Sequence, residues 1–301
     1  MTLLDAIGNT PLVELSRMTN GRVPVLAKLE GHNPGGSVKD RPARAMLLAA
    51  EASGELTLEK TILEATSGNT GIGLAMVAAA KGYRVRLTMP ECVSVERRRI
   101  LEAFGADIVL TPAPQGTDGA IREAHRLLEE SPDAYYMPNQ FDNPANVQAH
   151  YEGTGPEILR DTGGEVDVLV AGLGTSGTLM GAGRRLKEEN SATRLVGVEP
   201  PLGHRIQGLK NMSESIVPGI YEPDMLDEKV TVGDNEAFAV ARELSLKEGL
   251  FVGMSSGAAL VGALRIAERL TAGTVVTIFP DRGERYLSTV LFRSVCAECP
   301  P

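Results

Sequence analysis

Two stretches of this sequence combine residue types and spacing that could do chemistry. The first, Asn33-Pro-Gly-Gly-Ser-Val-Lys39-Asp-Arg41, places one lysine where a glycine-rich loop leads into a predicted helix. The second, Gly172-Leu-Gly-Thr-Ser-Gly-Thr178, follows an apolar run and opens another predicted helix. Backbone N–H groups at a helix start bind anions, and the three hydroxyls of this stretch add donors that suit a phosphate monoester.

A lysine beside a phosphate site suggests pyridoxal phosphate, which is held covalently through an amine and electrostatically through its phosphate. The second stretch also matches Gly-x-Gly-x-x-Gly, and Glu199 follows where a dinucleotide site would place a ribose-binding acid. Three features weigh against a dinucleotide. The hydroxyls at 175, 176 and 178 exceed what a pyrophosphate requires, the motif lies mid-chain after a complete βα array, and Lys39 would have no role.

Two further loops could complete such a site. The stretch Thr66-Ser67-Gly68-Asn69-Thr70-Gly71 leads from a predicted strand into a helix, and it has more capping residues than one helix start needs. Its surplus donors could hold a carboxylate and leave Asn69 for a ring hydroxyl. Gln140 lies in an Asn- and Pro-rich connecting segment, and its side-chain amide could reach the same carboxylate. Ser255 either caps the next helix or faces a pyridine nitrogen, where a neutral group favours elimination at Cβ.

These loops connect short apolar runs to helical segments. The two kinds of segment alternate along the chain, which is typical of a largely parallel α/β sheet. One βα array runs from about residue 39 to 140 and another from about 155 to 280. The predicted strands are Val25–Glu30, Thr61–Thr66, Arg84–Met89, Asp107–Thr111, Val166–Ala171, Arg194–Glu199 and Thr274–Phe279. The predicted helices are Arg41–Ser53, Gly71–Lys81, Val95–Phe104, Asp118–Glu130, Thr178–Glu189, Asn235–Glu248 and Gly257–Leu270. Two such arrays make a cleft, where small-molecule sites usually lie.

Composition restricts the partners. The 30 Lys and Arg residues face 39 Asp and Glu, and the net charge of −9 argues against nucleic acid or an anionic membrane as the main partner. The first residues lack the features of a signal peptide, and the longest apolar-rich run is too short to span a bilayer. The three cysteines are typical of a reduced, cytoplasmic enzyme, with Cys296 and Cys299 in the last residues. The four histidines show no metal-ligand spacing, so we expect no metal. We expect Arg97-Arg98-Arg99 on a solvated helix face.

Taken together, the motifs resemble the cysteine synthases of the fold-type II pyridoxal phosphate enzymes, essentially from end to end. The matching motifs are Gly8–Leu12, Lys28–Glu30, Asn33–Arg41, Thr66–Gly71, Gln140–Asn146, Thr154–Glu157, Gly174–Thr178, Ser255–Gly257 and Gly283–Thr289. The resemblance implies an α/β fold of two three-layer αβα domains with mostly parallel sheets, similar to the tryptophan synthase β chain. It implies a small mobile domain of residues 1–12 and 35–144, a large cofactor-binding domain of 13–34 and 145–290, a C-terminal tail of 291–301, and a homodimer.

The resemblance also assigns roles. Lys39 binds the cofactor covalently and moves the substrate Cα proton. Asn69 bonds the ring hydroxyl, Ser255 the pyridine nitrogen, and Gly174, Thr175, Ser176, Gly177 and Thr178 bind the phosphate. The residues assigned to bind the substrate carboxylate are Thr66, Ser67, Thr70 and Gln140.

The reaction expected from the resemblance is β-replacement of an O-activated serine through an α-aminoacrylate, giving cysteine. Lys210 and the Asp281-Arg282 pair resemble the B-type branch. Because Lys210 could pair with a phosphate or sulfonate, we hypothesise that O-phosphoserine or thiosulfate is accepted besides O-acetylserine and sulfide. The alternatives are cystathionine β-synthase chemistry with homocysteine, a threonine-dehydratase-like lyase and a catalytically silent homologue.

Overall fold

The computed structural model describes residues 2–19, 21–66, 68–213 and 217–292. Ser67 of the expected carboxylate loop, and the Cys296 and Cys299 pair, lie outside the described residues. None of the helices in the described ranges is long and apolar enough to cross a membrane.

Two sheets organise this part of the chain. The six-stranded sheet has the order β1-β2-β10-β7-β8-β9 and the four-stranded sheet the order β5-β4-β3-β6, and every pairing is parallel except β1 with β2. The strands are β1 Leu12–Glu14, β2 Val25–Leu29, β3 Thr61–Ala65, β4 Arg84–Pro90, β5 Asp107–Thr111, β6 Tyr135–Tyr136, β7 Val168–Gly172, β8 Arg194–Glu199, β9 Glu228–Thr231 and β10 Val275–Phe279.

Helices cover both faces of each sheet. They are α1 Asp40–Ser53, α2 Asn69–Lys81, α3 Val95–Ala103, α4 Gly116–Glu130, α5 Pro144–Ala149, α6 Gly155–Thr162, α7 Gly177–Glu189, α8 Asp234–Lys247 and α9 Met254–Arg269. On the six-stranded sheet, one core contains apolar residues of α8 and α9 and the other contains residues of α6 and α7. On the four-stranded sheet, α1 and α2 contribute to one core and α4 to the other. The expected mixed α/β architecture with mostly parallel sheets is confirmed, whereas the division into a small mobile and a large domain stays a prediction.

All seven expected strands and all seven expected helices are present, with ends shifted by at most three residues. The sequence analysis missed β1, β6 and β9, which have two to four residues each, too few for a periodicity to show. It also missed α5 and α6 in the joint between the arrays. These two short helices are joined by a π-helical turn, His150–Thr154.

The expectation of a solvated arginine face was wrong for Arg97. This side chain is buried, because its guanidinium lies 5.0 Å from the centre of the Tyr286 ring and donates a hydrogen bond to Gln207. Arg99, two residues further along α3, is exposed as expected. Charge clustering alone did not distinguish the arginine that faces the protein from the one that faces water.

A buried ion-pair network joins segments that are distant in sequence. Arg41 Nε lies 2.6 Å from Glu30 Oε2, and Arg41 Nη1 lies 2.6 Å from Glu157 Oε1, across 116 positions of the chain. Lys28 Nζ lies 3.0 Å from Glu157 Oε2 and 3.1 Å from Asp161. Hydrogen bonds from Thr10 Oγ1, Asn33 Nδ2 and the backbone N–H of Asn9 complete the carboxylates. Four of the motifs singled out in the sequence therefore meet around one guanidinium, two residues after Lys39.

Because of this network, the stability of the fold depends on pH in the acidic range. Burial alone would raise the pKa of Glu157, but the hydrogen bonds and charge of Arg41 overcome it and lower this pKa to about 2. A carboxylate with a lower pKa in the folded chain stabilises the fold above its unfolded pKa of about 4.3, and that stabilisation is lost as the pH falls toward the folded value.

We expect Glu157→Gln to lower the free energy of unfolding at neutral pH by about 3 kcal/mol, because it leaves buried cations undercompensated. Its urea midpoint should also fall less steeply than that of the wild type between about pH 5 and pH 2. Urea titrations at several pH values measure both effects. Glu189→Gln, on the exposed surface of α7, is the control and should follow the wild-type pH curve. A Glu157→Gln curve parallel to the wild type would contradict this account.

Candidate active site

The Lys39 loop is attached to the carboxyl end of β10. The backbone N–H of Val38 donates to the carbonyl of Pro280 at 2.8 Å, and Ser37 forms a β-bridge with Asp281. From this loop the Lys39 amine reaches the end of β7, where Nζ lies 3.3 Å from Thr175 Oγ1. The stretches 33–41 and 172–178 are thus in direct contact at the carboxyl edge of the six-stranded sheet, as expected for a ligand site in an open α/β sheet.

The Lys39 amine is held in an environment that favours its neutral form. Burial lowers the pKa of Lys39 to about 8, and among the described residues no carboxylate forms an ion pair with it. The amine of a free lysine has a pKa of about 10.4. A substantial fraction of Lys39 is therefore nucleophilic and basic at mildly alkaline pH, which suits covalent attachment of a carbonyl and proton transfer.

The loop from Gly174 to Thr178, called the phosphate loop after its expected ligand, has glycines at positions where neighbouring atoms come close. A Cβ on Gly174 would lie 2.5 Å from the carbonyl oxygen of Gly208, and a Cβ on Gly177 would lie 2.2 Å from Asn146 Oδ1. Between them Ser176 adopts the left-handed conformation, with a φ of 68°. This conformation costs a non-glycine residue roughly 1–2 kcal/mol, so the loop holds its shape against local strain.

The polar groups of this loop fit the phosphate of pyridoxal phosphate. Ser176 Oγ is buried and has no hydrogen-bond partner among the described residues, although buried hydroxyls are normally satisfied. The N-terminus of the 13-residue helix α7 begins directly behind it, and the Thr175 hydroxyl accepts from Asn146 Nδ2 at 3.1 Å. An orphaned hydroxyl at a helix start, within one residue of the lysine contact, is what a phosphate ligand would complete.

The expected carboxylate loop lies at the carboxyl end of β3, in the four-stranded sheet. Thr66 Oγ1 accepts from the backbone N–H of Gly68 at 3.2 Å, so it shapes the loop. Thr70 Oγ1 donates to Gln140 Oε1 at 2.5 Å. Asn146 Nδ2 donates both to the Gln140 carbonyl, at 2.8 Å, and to Thr175 Oγ1. Thr70, Gln140 and the phosphate loop are therefore connected through one asparagine side chain.

Asn69 is less free than the sequence analysis expected. Its Nδ2 donates to Asp281 Oδ2 at 2.6 Å and its Oδ1 accepts from Arg285. Tyr286 donates to the same Asp281 oxygen at 2.7 Å. The role of Asn69 toward a ring hydroxyl stays a prediction, and the second N–H of its amide would be the donor, since the first is bonded to Asp281.

Ser255 is buried in the first turn of α9. A Cβ on Gly253, two residues earlier, would lie 2.1 Å from Asp281 Oδ1. This packing places the start of α9 beside the Asn69 and Asp281 pair. Its bond to a pyridine nitrogen stays a prediction.

Lys210 lies between Leu173 and Phe141. Its backbone N–H donates to the carbonyl of Leu173 at 2.7 Å, and its Nζ lies 5.8 Å from the centre of the Phe141 ring, next to Gln140. The side chain is only partly exposed. The structure thus brings Lys210 to the Gln140 side of the site, which a surface lysine elsewhere on the chain would not reach.

Sequence reasoning missed three residues that support the site, namely Glu64, Asn146 and His150. Glu64, buried in β3, accepts from the backbone N–H groups of Asn139 and Gln140 at 2.9 and 3.3 Å, and burial raises its pKa to about 7. Its signal was a carboxylate in an otherwise apolar predicted strand. Asn146 lay inside a quoted motif without a role. His150 was considered only as a metal ligand, and no group of His, Cys, Asp and Glu in the described ranges is arranged to hold a metal.

The chain is similar to known proteins in both sequence and structure. A family model described as "Pyridoxal-phosphate dependent enzyme" matches residues 3–281. Cysteine synthase of Aquifex aeolicus is 47% identical over 300 residues, covering 97% of this chain and 92% of that protein. Cysteine synthase B of Salmonella typhimurium is 45% identical over 293 residues, covering 97% and 96%. The crystal structure of a cysteine synthase of Entamoeba histolytica superposes with a TM-score of 0.92 at 40% identity, covering 97% and 90%.

These likenesses confirm the expected fold class, the resemblance and the cofactor. The superposition covers 97% of this chain and the family model matches residues 3–281, so both sheets belong to the shared fold.

Ser176 provides a test that separates strain from ligand binding. Ser176→Gly should stabilise the cofactor-free protein by about 1 kcal/mol, because glycine adopts a positive φ without cost. The same change should weaken pyridoxal phosphate binding, because the orphaned hydroxyl is lost. Thermal unfolding of the cofactor-free protein and titration with the cofactor measure the two effects.

Ser176→Ala is the matched control, since it removes the hydroxyl and keeps the strained Cβ. It should bind the cofactor as weakly as the glycine variant and be about 1 kcal/mol less stable than that variant, because it keeps the strained backbone. If Ser176→Gly and Ser176→Ala were equally stable, or if both bound the cofactor like the wild type, the assignment of Ser176 would be wrong.

Proposed function

The chain belongs to the pyridoxal-phosphate dependent enzyme family, and from that premise we propose that it is a cysteine synthase that replaces the O-acetyl group of O-acetyl-L-serine by sulfide. The observation that carries the proposal is the partly buried Lys39 side chain, whose amine lies 3.3 Å from a hydroxyl of the phosphate loop and lacks a carboxylate counter-ion in the described part of the chain. The relatives with 45–47% identity are cysteine synthases. The homocysteine-condensing alternative has no better support.

Gly174, Thr175, Ser176, Gly177 and Thr178 would hold the cofactor phosphate, with Lys39 as the covalent anchor. When bound, pyridoxal phosphate supplies an electron sink for the charge that develops at the substrate Cα. Proton transfer and orientation of the substrate are carried out by side chains of the protein.

Lys39 Nζ is suited to move the Cα proton. Because burial lowers its pKa to about 8, the amine accepts a proton readily and also returns it, which is what a group that acts first as base and then as acid requires. In the balanced reaction, Lys39 removes the Cα proton, acetate leaves Cβ, sulfide adds at Cβ, and Lys39 returns the proton to Cα.

Thr70 and Gln140 would orient the substrate carboxylate. The Thr70 hydroxyl donates to Gln140 Oε1, which turns the amide NH₂ of Gln140 away from Thr70. The start of α2 adds backbone N–H groups and a favourable helix dipole for an anion. Glu64 accepts a hydrogen bond from the backbone N–H of Gln140 and so holds this residue in place. The substrate carboxylate would therefore meet a preorganised set of donors. Thr66 shapes this loop, and Ser67 is assigned to it by resemblance alone.

The donor specificity proposed for this enzyme includes O-phosphoserine, and thiosulfate as a sulfur source. Support comes from Lys210, whose ammonium lies over the Phe141 ring beside Gln140. A cation at this position would attract a phosphate or sulfonate group more strongly than a neutral acetyl group. The proposed assembly is a homodimer, and the proposed location is the cytoplasm, where the sparse cysteines would remain reduced.

The function is tested by following cysteine formation from O-acetylserine and sulfide. The wild type should form cysteine and acetate in equal amounts, and Lys39→Ala should be slower by about 10²–10⁴-fold or more, because the proton carrier is lost. Lys247→Ala, at an exposed lysine of α8, is the control and should retain activity. Release of pyruvate regardless of sulfide would indicate a dehydratase, and a preference for homocysteine would indicate a cystathionine synthase.

Donor specificity is tested with Lys210→Ala. We expect kcat/KM for O-phosphoserine to fall about 10-fold, since a charge-assisted contact is removed, while kcat/KM for O-acetylserine changes little. Lys210→Arg keeps the charge and should retain most of the phosphoserine activity. An equal effect of Lys210→Ala on both donors, or no effect on either, would contradict this role.

A further inference from the structure

His150 lies fully buried between two threonine hydroxyls. Its Nε2 is 3.2 Å from Oγ1 of Thr178, the last residue of the phosphate loop, and its Nδ1 is 2.9 Å from Oγ1 of Thr154. Thr154 is also fully buried. The three side chains form a line that ends at the phosphate loop, and the cysteine synthase activity proposed above does not by itself require it.

The direction of the two hydrogen bonds follows from counting donors. A neutral imidazole has one donor and one acceptor nitrogen, and a threonine hydroxyl has a single proton. Among the described residues, Nδ1 of His150 is the only hydrogen-bond partner of the Thr154 hydroxyl. A buried hydroxyl that gave its proton to nothing would be costly, so Thr154 donates to Nδ1. The ring proton then lies on Nε2.

With the proton on Nε2, His150 donates to Thr178 Oγ1. The Thr178 hydroxyl accepts that bond, and its own proton stays available for the phosphate oxygens. In the opposite tautomer, Thr178 would donate to the Nε2 lone pair and its proton would be lost to the ligand. The tautomer of a buried histidine thus decides whether the phosphate loop has one donor more or fewer.

The histidine is held neutral by its surroundings. Burial lowers the pKa of His150 well below its ordinary value, and the positive charges of Arg41 and Lys39 lower it further against the opposing charge of Glu157. A neutral ring is required, because a doubly protonated imidazole would donate to both threonines.

The backbone fixes the ring against α7. His150 begins the π-helical turn His150–Thr154, and this turn packs on Gly181 of α7. A Cβ on Gly181 would lie 2.1 Å from the carbonyl oxygen of Val147 and 2.8 Å from the His150 Cβ. Thr154 ends the same turn, four positions after His150, and its hydroxyl meets Nδ1.

We propose that Thr154 and His150 are positioning residues that set the ring tautomer and so make the Thr178 hydroxyl an obligatory donor to the cofactor phosphate. The proposal rests on the proposed function in one respect, since it takes the phosphate of pyridoxal phosphate as the ligand. It assigns neither residue a contact with the cofactor.

The test compares cofactor binding by the cofactor-free wild type, Thr154→Val, Thr178→Val and the double variant. Valine has nearly the shape of threonine and lacks the hydroxyl. Loss of one hydrogen bond should raise the half-saturating concentration of pyridoxal phosphate about 3- to 10-fold in Thr154→Val. Pyridoxal, which lacks the phosphate, should bind the wild type and Thr154→Val equally.

The double variant separates a relay from a structural effect. If Thr154 acts through Thr178, Thr154→Val should add nothing once Thr178 is valine, so the two effects should not be additive. Nitrogen NMR of histidine-labelled protein should show His150 protonated on Nε2 in the wild type, and should show that state partly lost in Thr154→Val. Thr193→Val, at a buried threonine that donates to Val166 away from the site, is the stability control.

Three outcomes would overturn the proposal: unchanged pyridoxal phosphate binding in Thr154→Val, an equal loss of pyridoxal binding, or additive effects in the double variant. A wild type that binds no pyridoxal phosphate would instead overturn the proposed function. The two failures are therefore distinguishable.

Discussion

The architecture of the site depends on the requirement that the buried guanidinium of Arg41 be neutralised. A buried cation is tolerated only when it is paired and fully hydrogen-bonded, and Arg41 meets this requirement with Glu30 from the end of β2 and Glu157 from α6. These carboxylates also accept hydrogen bonds from Asn9, Thr10 and Asn33, and Glu157 pairs with Lys28. The start of α1 is thereby fixed to the six-stranded sheet and to the joint between the arrays, and Lys39 is carried with it.

Lys39 and Arg41 are two residues apart and are treated in opposite ways. Arg41 has two carboxylates and remains charged, whereas Lys39 has a threonine hydroxyl and loses part of its charge near neutral pH. Arg41 is buried and Lys39 is partly buried, so the difference comes from the counter-ions of Arg41 and from the greater intrinsic basicity of a guanidinium. A cation that must stay charged anchors the fold, and one that must titrate does the chemistry. Burial is the main cause of the lowered pKa of His150, and the charges of Arg41 and Lys39 lower it further.

Much of this could be predicted from the sequence, for identifiable reasons. Strands such as Thr61–Ala65 and helices such as Asn69–Lys81 are long enough to show their periodicity, and the loops after them are rich in glycine and hydroxyl residues. Lys39, Thr175, Thr70 and Gln140 were accordingly placed on the correct loops. The meeting of Lys39 with Thr175 across 136 positions followed from strand ends sharing one edge of a sheet.

The rest could not be predicted, because it depends on which side of an element faces inward. Arg97 and Arg99 are equivalent in the sequence and opposite in burial. Glu64 and His150 are single titratable residues with no partner at a characteristic spacing, since their partners are backbone N–H groups and hydroxyls brought by packing. Asn69 was assigned to a ligand, and the structure shows that it already binds Asp281 and Arg285. Such contacts exist only after the two arrays have come together.

The approach of Gly208 to Gly174 has a consequence for how this enzyme can diversify. The segment that carries Lys210 lies directly against the phosphate loop, with 2.5 Å between the Gly208 carbonyl oxygen and the position of a Gly174 Cβ, and with the Lys210 N–H bonded to Leu173. An inserted or deleted residue in this segment would displace the phosphate loop along with it. On the proposed role of Lys210, exchange of the side chain at 210 would change the leaving group, whereas the length of the segment is constrained by its packing on the phosphate loop.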